Sequence, residues 1–298
     1  MKFAVIDIGS NTAKAEIYKY KNDALKLKLK AVRRDMIADH KDGGVLDSDG
    51  VDILINIMKE FALVCRENDV EKIFPYATQS LRGIDNASDV LQKIKRATGL
   101  DVEIISGKEE ASLCFDAFRY RYGAVRGALS DMGGGSTEVS LFDCGAVFKA
   151  ESIPFGNRSL VHELGIDTIP DDEQERKIKE LVYNCVKERG MDCAKGSLYA
   201  CGGTSSGTFR LLSEHIKKDV TAVTVRELYD FYKYCKSDIK KAAEIAVNLT
   251  PDRYDTVYTG LYAHICLCDA LGCRMIKHCK STCRRGYAEK LIKNGYVK

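Results

Sequence analysis

Three strand-like patterns fill the beginning of the chain. Residues 3–8 form a nearly continuous apolar run, which is typical of a buried strand. In residues 12–20 small and apolar residues alternate with polar ones, as in a strand, and the sequence Lys-Asn-Asp at residues 21–23 ends this alternation. In residues 25–29 leucines alternate with lysines, as in a strand with one solvated face. These periods predict an antiparallel meander of three strands.

Helical and strand periods alternate along the rest of the chain. Apolar residues recur at helical spacing after Ser48, and Ser106 with Glu109 forms a capping box. The first half is predicted to continue with a helix from 48, a strand at 73–78, a helix at 89–98, a strand at 102–105 and a helix at 106–122. In the second half we predict strands at 127–131, 137–143, 147–153, 198–201 and 274–277, and helices at 158–164, 172–187, 225–234, 238–247, 255–270 and from 282. The fold class is α/β.

Each half of the chain opens with the same order of features: an apolar strand, a carboxylate, a small polar turn and a second strand. The turns read Asp-Ile-Gly-Ser-Asn-Thr at residues 7–12 and Asp-Met-Gly-Gly-Gly-Ser-Thr at residues 131–137. An internal duplication at domain scale is the simplest account, and the length of 298 residues favours two domains. We predict domains at residues 1–123 and 124–298, and leave open that the last helix packs back on the first domain.

The first turn has the chemistry of a phosphate-binding hairpin. Gly9 leaves room where the backbone turns, and hydroxyl, amide and backbone donors follow it. The candidate phosphate ligands are Ser10, Asn11 and Thr12. Taken alone, these residues are explained equally well by a tight polar hairpin without a ligand.

The second turn favours the phosphate interpretation, because three consecutive glycines let backbone amides approach an anion closely. Its candidate phosphate ligands are Gly134, Gly135, Ser136 and Thr137. Asp7 and Asp131 precede the two turns. Two facing hairpins of this kind would clamp a phosphate chain and its Mg²⁺ between two domains, where ligand pockets commonly lie.

A third glycine turn, with Gly203 and Thr204, follows a predicted strand and opens a helix, whose free amides suit an anion. An ordinary glycine turn with a Ser/Thr cap is the alternative.

Two charged side chains also follow predicted strands. Because Glu109 has the capping role, Glu110 is left to act as a base on water, although a carboxylate in a first helical turn is also favoured by the helix dipole. Arg82 would reach phosphate oxygens as a bidentate donor, or serve as a surface charge.

Composition narrows the classes of function. The net charge of +3 comes from 46 basic and 43 acidic residues, which excludes uniform nucleic-acid wrapping. The sequence has neither a secretory leader pattern nor an apolar run of membrane-spanning length, so we expect a cytoplasmic protein without a membrane partner.

In such a chain the 12 cysteines are expected to be reduced. Those in residues 266–283 contain no C-x-x-C pair and favour buried small side chains over a metal site.

Several ordered segments resemble the exopolyphosphatase and guanosine pentaphosphate phosphohydrolase family, within the actin, sugar-kinase and heat-shock chaperone superfamily. The resemblance covers almost the whole chain. The segments are residues 7–12 (first phosphate loop), 77–82 (A-T-x-A-x-R, with Ser80 for alanine), 106–111 (S-G-x-E-E-A), 131–138 (D-I-G-G-G-S-T-E, with Met132 for isoleucine), 154–160 (P-x-G-x-x-x-L) and 253–255 (R-x-D).

The resemblance implies two actin-like, ribonuclease H-like domains with the active site in the interdomain cleft. It also implies that Glu110 activates the attacking water, that Asp131 and Glu138 hold magnesium and help to orient that water, and that Arg82 binds the terminal phosphate with the loop amides. The expected reaction is hydrolysis of a terminal phosphoanhydride bond by in-line attack without a protein nucleophile. The expected substrate is inorganic polyphosphate, or alternatively a guanosine polyphosphate, and a homodimer is a further expectation.

Two other functions fit the same fold. An ATP-dependent kinase or ATPase shares the phosphate loops, but the S-G-x-E-E-A segment speaks against it. A non-catalytic nucleotide or polyphosphate sensor would use the clamp without turnover, but retention of Glu110 and Glu138 speaks against that. The chain departs from the family at residues 279–286, where bases replace acids. By the same resemblance, we expect a short form without the additional helical domain of longer relatives.

Overall fold

The computed structural model describes residues 1–34, 37–123, 126–192, 194 and 196–298. It divides into two compact units: a first unit of residues 1–113 and 283–298, and a second unit of residues 114–282. The division therefore falls earlier than the boundary expected at residue 123. The last helix lies with the first unit, which is the arrangement that the sequence leaves open.

The first unit is built on a five-stranded sheet in the order β3-β2-β1-β6-β7. Strands β1 to β3 are the predicted antiparallel meander, and β6 and β7 continue the sheet in parallel. The elements are β1 (Lys2–Ile8), β2 (Ala13–Lys21), β3 (Ala24–Arg33), a 3₁₀ turn (Ile37–His40), β4 (Lys41–Asp42), β5 (Val45–Leu46), α1 (Ser48–Glu67), β6 (Lys72–Ala77), α2 (Ala87–Thr98), β7 (Glu103–Ile104), α3 (Gly107–Tyr122) and, from the chain end, α10 (Cys283–Lys293). The division between the two units falls within α3, between Leu113 and Cys114.

Local sequence explains these elements. The apolar run of β1 is buried on both faces, as a central strand requires. Helix α1 begins at the cap Asp47, whose carboxylate accepts a hydrogen bond from the Gly50 amide at 2.7 Å, and it buries an apolar stripe that includes Leu54, Met58 and Phe61. The small hairpin of β4 and β5 was not predicted, because two-residue strands leave no detectable period.

The second unit repeats this plan in a six-stranded sheet of order β10-β9-β8-β11-β13-β12. Its first three strands are again an antiparallel meander, and β11 and β13 continue in parallel. The elements are β8 (Arg126–Met132), β9 (Thr137–Asp143), β10 (Ala146–Ile153), α4 (Asn157–Leu164), α5 (Asp172–Glu188), β11 (Ser197–Cys201), α6 (Gly202–Ile216), β12 (Ala222–Thr224), α7 (Val225–Ser237), α8 (Ile239–Leu249), α9 (Val257–Leu271) and β13 (Met275–His278). The short antiparallel edge strand β12 was not predicted.

Helix α9 is the centre of the second core, and almost every one of its residues is buried. The cysteines of residues 266–283 are likewise buried. Burial raises the pKa of Cys266 and of Cys273 to about 12, so these thiols behave as small apolar side chains. No disulfide links the cysteines that the structure describes; Cys193 lies outside the described residues.

None of the helices in the described part of the chain combines the length and the apolar character needed to cross a bilayer.

Candidate active site

The first glycine turn joins β1 to β2 as a tight hairpin. The Gly9 amide donates to the Thr12 carbonyl at 3.1 Å, and a Cβ on Gly9 would lie 2.9 Å from that oxygen. Glycine is therefore needed at this position for steric reasons. Ser10 is buried, and Asn11 Oδ1 is a buried acceptor without a hydrogen-bond partner among the described residues.

The segment after β6 is fastened to this hairpin. The Ser80 hydroxyl and the Thr78 amide, the latter at 3.3 Å, both donate to the carbonyl of Ile8. The serine that replaces the family's alanine thus adds a bond to the last residue of β1. The chain then turns so that the Arg82 amide donates to the Thr78 carbonyl at 3.0 Å.

Arg82 and Glu110 are brought into direct contact. Arg82 Nη2 donates to Glu110 Oε2 at 2.6 Å, and the two side chains are 22% and 14% exposed. Arg82 Nε is buried and has no hydrogen-bond partner among the described residues, so one donor of the guanidinium is left unsatisfied. Glu110 stands in the first turn of α3, while its neighbour Glu109 pairs with Lys290. The candidate base Glu110 and the candidate phosphate ligand Arg82 are therefore directly hydrogen-bonded to each other.

Asp7, near the end of β1, has a partner that the sequence did not indicate. Arg284 of α10 donates to Asp7 Oδ2 at 2.7 Å, and its Nε lies 2.9 Å from Glu16 Oε1. Burial alone would raise the pKa of Glu16, but the Arg284 charge and a hydrogen bond from Tyr18 hold that pKa below its ordinary value. Arg284, which lies in the segment of residues 279–286 where bases replace acids, is thus the cation that joins two carboxylates of the first unit.

The second glycine turn, between β8 and β9, is held by the start of α4. The Gly133 amide donates to the Ser136 carbonyl at 2.9 Å, and amides at the N-terminus of α4 donate to the carbonyls of Gly133 and Gly134. A Cβ on Gly156 would lie 2.5 Å from both of these carbonyl oxygens. This contact explains the glycine of the P-x-G-x-x-x-L segment: it lets the start of α4 pack onto the loop. The Thr137 hydroxyl completes the attachment by donating to the Phe155 carbonyl at 2.7 Å.

Asp131 and Glu138 are direct cross-strand partners on β8 and β9. Glu138 is buried, and its Oε1 accepts hydrogen bonds from the hydroxyls of Ser136 and Ser152, each at 2.8 Å. Asp131 lies against Gly202 at the start of α6, where a Cβ would overlap its Oδ1, and the φ of Gly202 is +80°. The register thus delivers two carboxylates side by side at the second turn.

The third glycine turn, with Gly203 and Thr204, begins α6 and also links neighbouring elements of the second unit. The Thr204 hydroxyl donates to the Met132 carbonyl at 2.9 Å and accepts from Asn157 Nδ2 at 2.9 Å. A Cβ on Gly203 would overlap the guanidinium of Arg253, which pairs with Asp252 at 2.7 Å. Gly203 therefore brings an arginine to the start of α6. Thr204 as a phosphate ligand stays a prediction, because its hydroxyl already joins three elements of the second unit.

The first unit brings together Arg82 and Glu110, and places Asp7 and the Gly9 turn on neighbouring strand ends. The second unit brings together Asp131 and Glu138 at the second and third glycine turns. Four supporting residues were not predicted as site residues: Arg253, Arg284, Asn157 and Ser152. Two of them had a sequence signal, since Arg253 lies in the R-x-D segment and Arg284 in the basic end segment.

A model of the Ppx/GppA phosphatase family matches residues 24–294. The chain belongs to the Ppx/GppA phosphatase family. The resemblance drawn from the phosphate loops is therefore confirmed. Ppx/GppA relatives include "Exopolyphosphatase 1" of Mycobacterium tuberculosis, 24% identical over 96% of this chain and 87% of that protein. A "Putative exopolyphosphatase" of Haemophilus influenzae is 23% identical over 99% of this chain and 93% of that one.

Solved Ppx/GppA structures share the fold. The Aquifex aeolicus family member has a TM-score of 0.82 at 21% identity, covering 100% of this chain and 99% of that chain. An exopolyphosphatase from Cytophaga hutchinsonii has a TM-score of 0.85 at 18% identity, with the same coverage. The predicted α/β class with two actin-like domains is thereby confirmed.

Proposed function

We propose that this Ppx/GppA family member is an exopolyphosphatase that hydrolyses the terminal phosphoanhydride bond of inorganic polyphosphate and releases orthophosphate. Relatives that match nearly the full chain carry this name. The observation that supports it within the chain is the 2.6 Å contact between Arg82 and Glu110. It joins a phosphate-binding cation to a carboxylate that can accept a proton from water.

The contact suggests how Glu110 becomes a base when substrate arrives. A terminal phosphate offers three oxygens, which compete with the Glu110 carboxylate for the guanidinium of Arg82. As Arg82 turns its donors to the phosphate, Glu110 Oε2 loses a hydrogen bond and becomes able to accept a proton from the attacking water. Binding of substrate and activation of water are coupled in this way.

The glycine turns would contribute position and charge. In-line attack on a phosphoryl group needs alignment and charge neutralisation rather than a protein nucleophile. Backbone amides of the turns at residues 9–12 and 133–136 would hold phosphate oxygens. Rigid support of the second turn by α4 keeps those amides in place before substrate arrives.

Magnesium fits the carboxylates of the second unit. Asp131 and Glu138 offer hard oxygen ligands from adjacent strands, as Mg²⁺ prefers, so these two residues would hold the ion. Asp7 is a further candidate, although its Oδ2 already accepts a bond from Arg284. When bound, the ion would neutralise charge on the phosphate chain. Chelation with EDTA should abolish phosphate release, and added Mg²⁺ should restore it.

The decisive experiment compares Glu110→Gln with Glu109→Gln. We expect the first variant to lower kcat for phosphate release from polyphosphate by about 10²–10⁴-fold, because glutamine cannot take a proton. Glu109→Gln, one residue earlier, removes only the pair with Lys290 and serves as the matched control. Near-normal turnover in Glu110→Gln, with folding intact, would refute the assignment of the base.

A second function is favoured by a specific similarity. A guanosine-5'-triphosphate,3'-diphosphate pyrophosphatase of Vibrio cholerae is 26% identical over 51% of this chain and 30% of that protein. Guanosine pentaphosphate should therefore be assayed beside long-chain polyphosphate and ATP. A higher kcat/KM for the guanosine nucleotide would make that compound the substrate, and binding without phosphate release would indicate a sensor.

A further inference from the structure

The sheet of the second unit places thiols around the carboxylate of the second turn. Strand β11 runs parallel to β8 in a register that pairs Cys201 with Asp131. Cys114, on α3, donates its thiol to Asp131 Oδ2 at 3.5 Å. The two sulfurs and a carboxylate oxygen all lie within 4.8 Å of one another. These residues are far apart in sequence, so no C-x-x-C spacing reveals them.

The spacing suits a tetrahedral zinc ion. Zinc–sulfur bonds of about 2.3 Å and zinc–oxygen bonds of about 2.0 Å at tetrahedral angles separate sulfur from oxygen by about 3.5 Å, and two sulfurs by about 3.8 Å. The first value equals the distance from Cys114 to Asp131, and the second lies within the 4.8 Å limit. The donor atoms would therefore have to approach one another by at most about 1.3 Å to reach these zinc-binding distances.

The chemistry of the donors also favours a softer cation than magnesium. Two thiolates and one carboxylate suit Zn²⁺, whereas Mg²⁺ takes oxygen ligands and keeps its waters. Cys114 and Cys201 are 2% and 0% exposed, so their sulfurs are shielded from solvent.

We propose that Cys114, Cys201 and Asp131 form a zinc-binding site, and that zinc bound there inhibits phosphate release. Each thiol gives its proton to solvent as its zinc–sulfur bond forms, so binding releases protons and strengthens as pH rises. Zinc occupies the Asp131 oxygen that would otherwise serve magnesium. This inhibition rests on the proposed function, whereas the binding itself does not.

Binding is tested on the full chain with Co²⁺ as a spectroscopic probe for zinc. Wild-type protein should show thiolate-to-cobalt absorption at one equivalent, and Zn²⁺ should bleach it. Cys114→Ser and Cys201→Ser should each lose most of this absorption, while Cys185→Ser, a buried cysteine of α5, should keep it. Equal absorption in all four proteins would overturn the proposal.

A second measurement needs no variant. In urea at a concentration that makes the peptides containing Cys114 and Cys201 measurably reactive in the zinc-free wild-type protein, Zn²⁺ should protect them from alkylation, as read by mass spectrometry. Unchanged alkylation at saturating Zn²⁺ would overturn the site even if the serine variants fail to fold.

Activity assays separate the two proposals. With Mg²⁺ in excess, micromolar Zn²⁺ should inhibit phosphate release, and Cys114→Ser should need at least tenfold more Zn²⁺ for the same inhibition. Zinc binding without phosphate release from any substrate would remove the proposed function and leave the site. Phosphate release with no zinc binding would remove the site and leave the function.

Discussion

Removal of the Arg284 cation should destabilise the first unit far more than removal of its neighbour. Arg284 is 8% exposed and lies between the carboxylates of Asp7 and Glu16, of which Glu16 is itself buried. Breaking a buried ion pair by removing one partner costs about 3–5 kcal/mol, because the remaining charge is left without compensation. We expect Arg284→Met to lower the free energy of unfolding by this amount at pH 7.

The sign of the pH dependence follows from Glu16. Its pKa is depressed in the folded protein, so its contribution to stability is present above the unfolded-state pKa and is lost as pH falls through the folded-state value. Without Arg284, burial is left as the main influence and raises the Glu16 pKa. The variant then loses stability as pH rises through that raised value. The difference between wild type and Arg284→Met should therefore be larger at about pH 7 than at about pH 4.

Urea denaturation followed by circular dichroism at these two pH values measures the effect. The matched control is Arg285→Met: Arg285 is 37% exposed, its pair with Glu289 at i,i+4 is worth about 0.3–0.5 kcal/mol, and its hydrogen bond to the Leu25 carbonyl adds about 0.5–1.5 kcal/mol. Glu16→Gln in the Arg284→Met background should restore part of the loss, since it removes a buried charge. A loss in Arg284→Met no larger than in Arg285→Met, or one independent of pH, would refute the reasoning.

Two further substitutions test the support of the glycine turns. Gly156→Ala would place a methyl group against the carbonyls of the second turn, so we expect a loss of about 1–3 kcal/mol in thermal unfolding and slower phosphate release; unchanged values for both would contradict the close contact. Thr204→Val removes two buried hydrogen bonds and should cost about 1–3 kcal/mol, whereas Thr208→Val on the same helix should be neutral or stabilising, because the Thr208 hydroxyl is buried without a partner among the described residues. Equal effects of the two valine variants would contradict this assignment.

Periodicity and glycine placement were sufficient to predict most of the fold. The apolar run of β1 and the alternation in β2 and β3 are signals that a short window contains, and the first meander follows from them. The strands β4, β5 and β12 have two or three residues each and leave no period. The boundary at residue 123 stays a prediction: the compact units divide within α3, which reads as one continuous helix in the sequence, because compactness depends on contacts that a helical period does not encode.

The sequence motifs predicted the individual candidate site residues but not the contacts between them. The order of the motifs identified Arg82 and Glu110 as separate candidates. Their contact could not be predicted, because the two residues are 28 positions apart in the sequence and meet only in the folded chain. Arg284 was noted only as a residue of a basic segment, since its carboxylate partners lie at the opposite end of the sequence. The group of Cys114, Asp131 and Cys201 was missed because strand register, not cysteine spacing, assembles it.

The first unit is discontinuous in the chain, with residues 1–113 at one end and residues 283–298 at the other. During synthesis the N-terminal segment leaves the ribosome first, and Arg284 follows only after all of the second unit has been made. Until Arg284 has been made, Asp7 and Glu16 lack the cation that pairs with both of them. The second unit can therefore fold while the chain is still growing, but the strand that precedes the first glycine turn is joined to Arg284 only after α10 has been made. A nonsense mutation that deletes α10 would consequently damage the oldest part of the nascent chain.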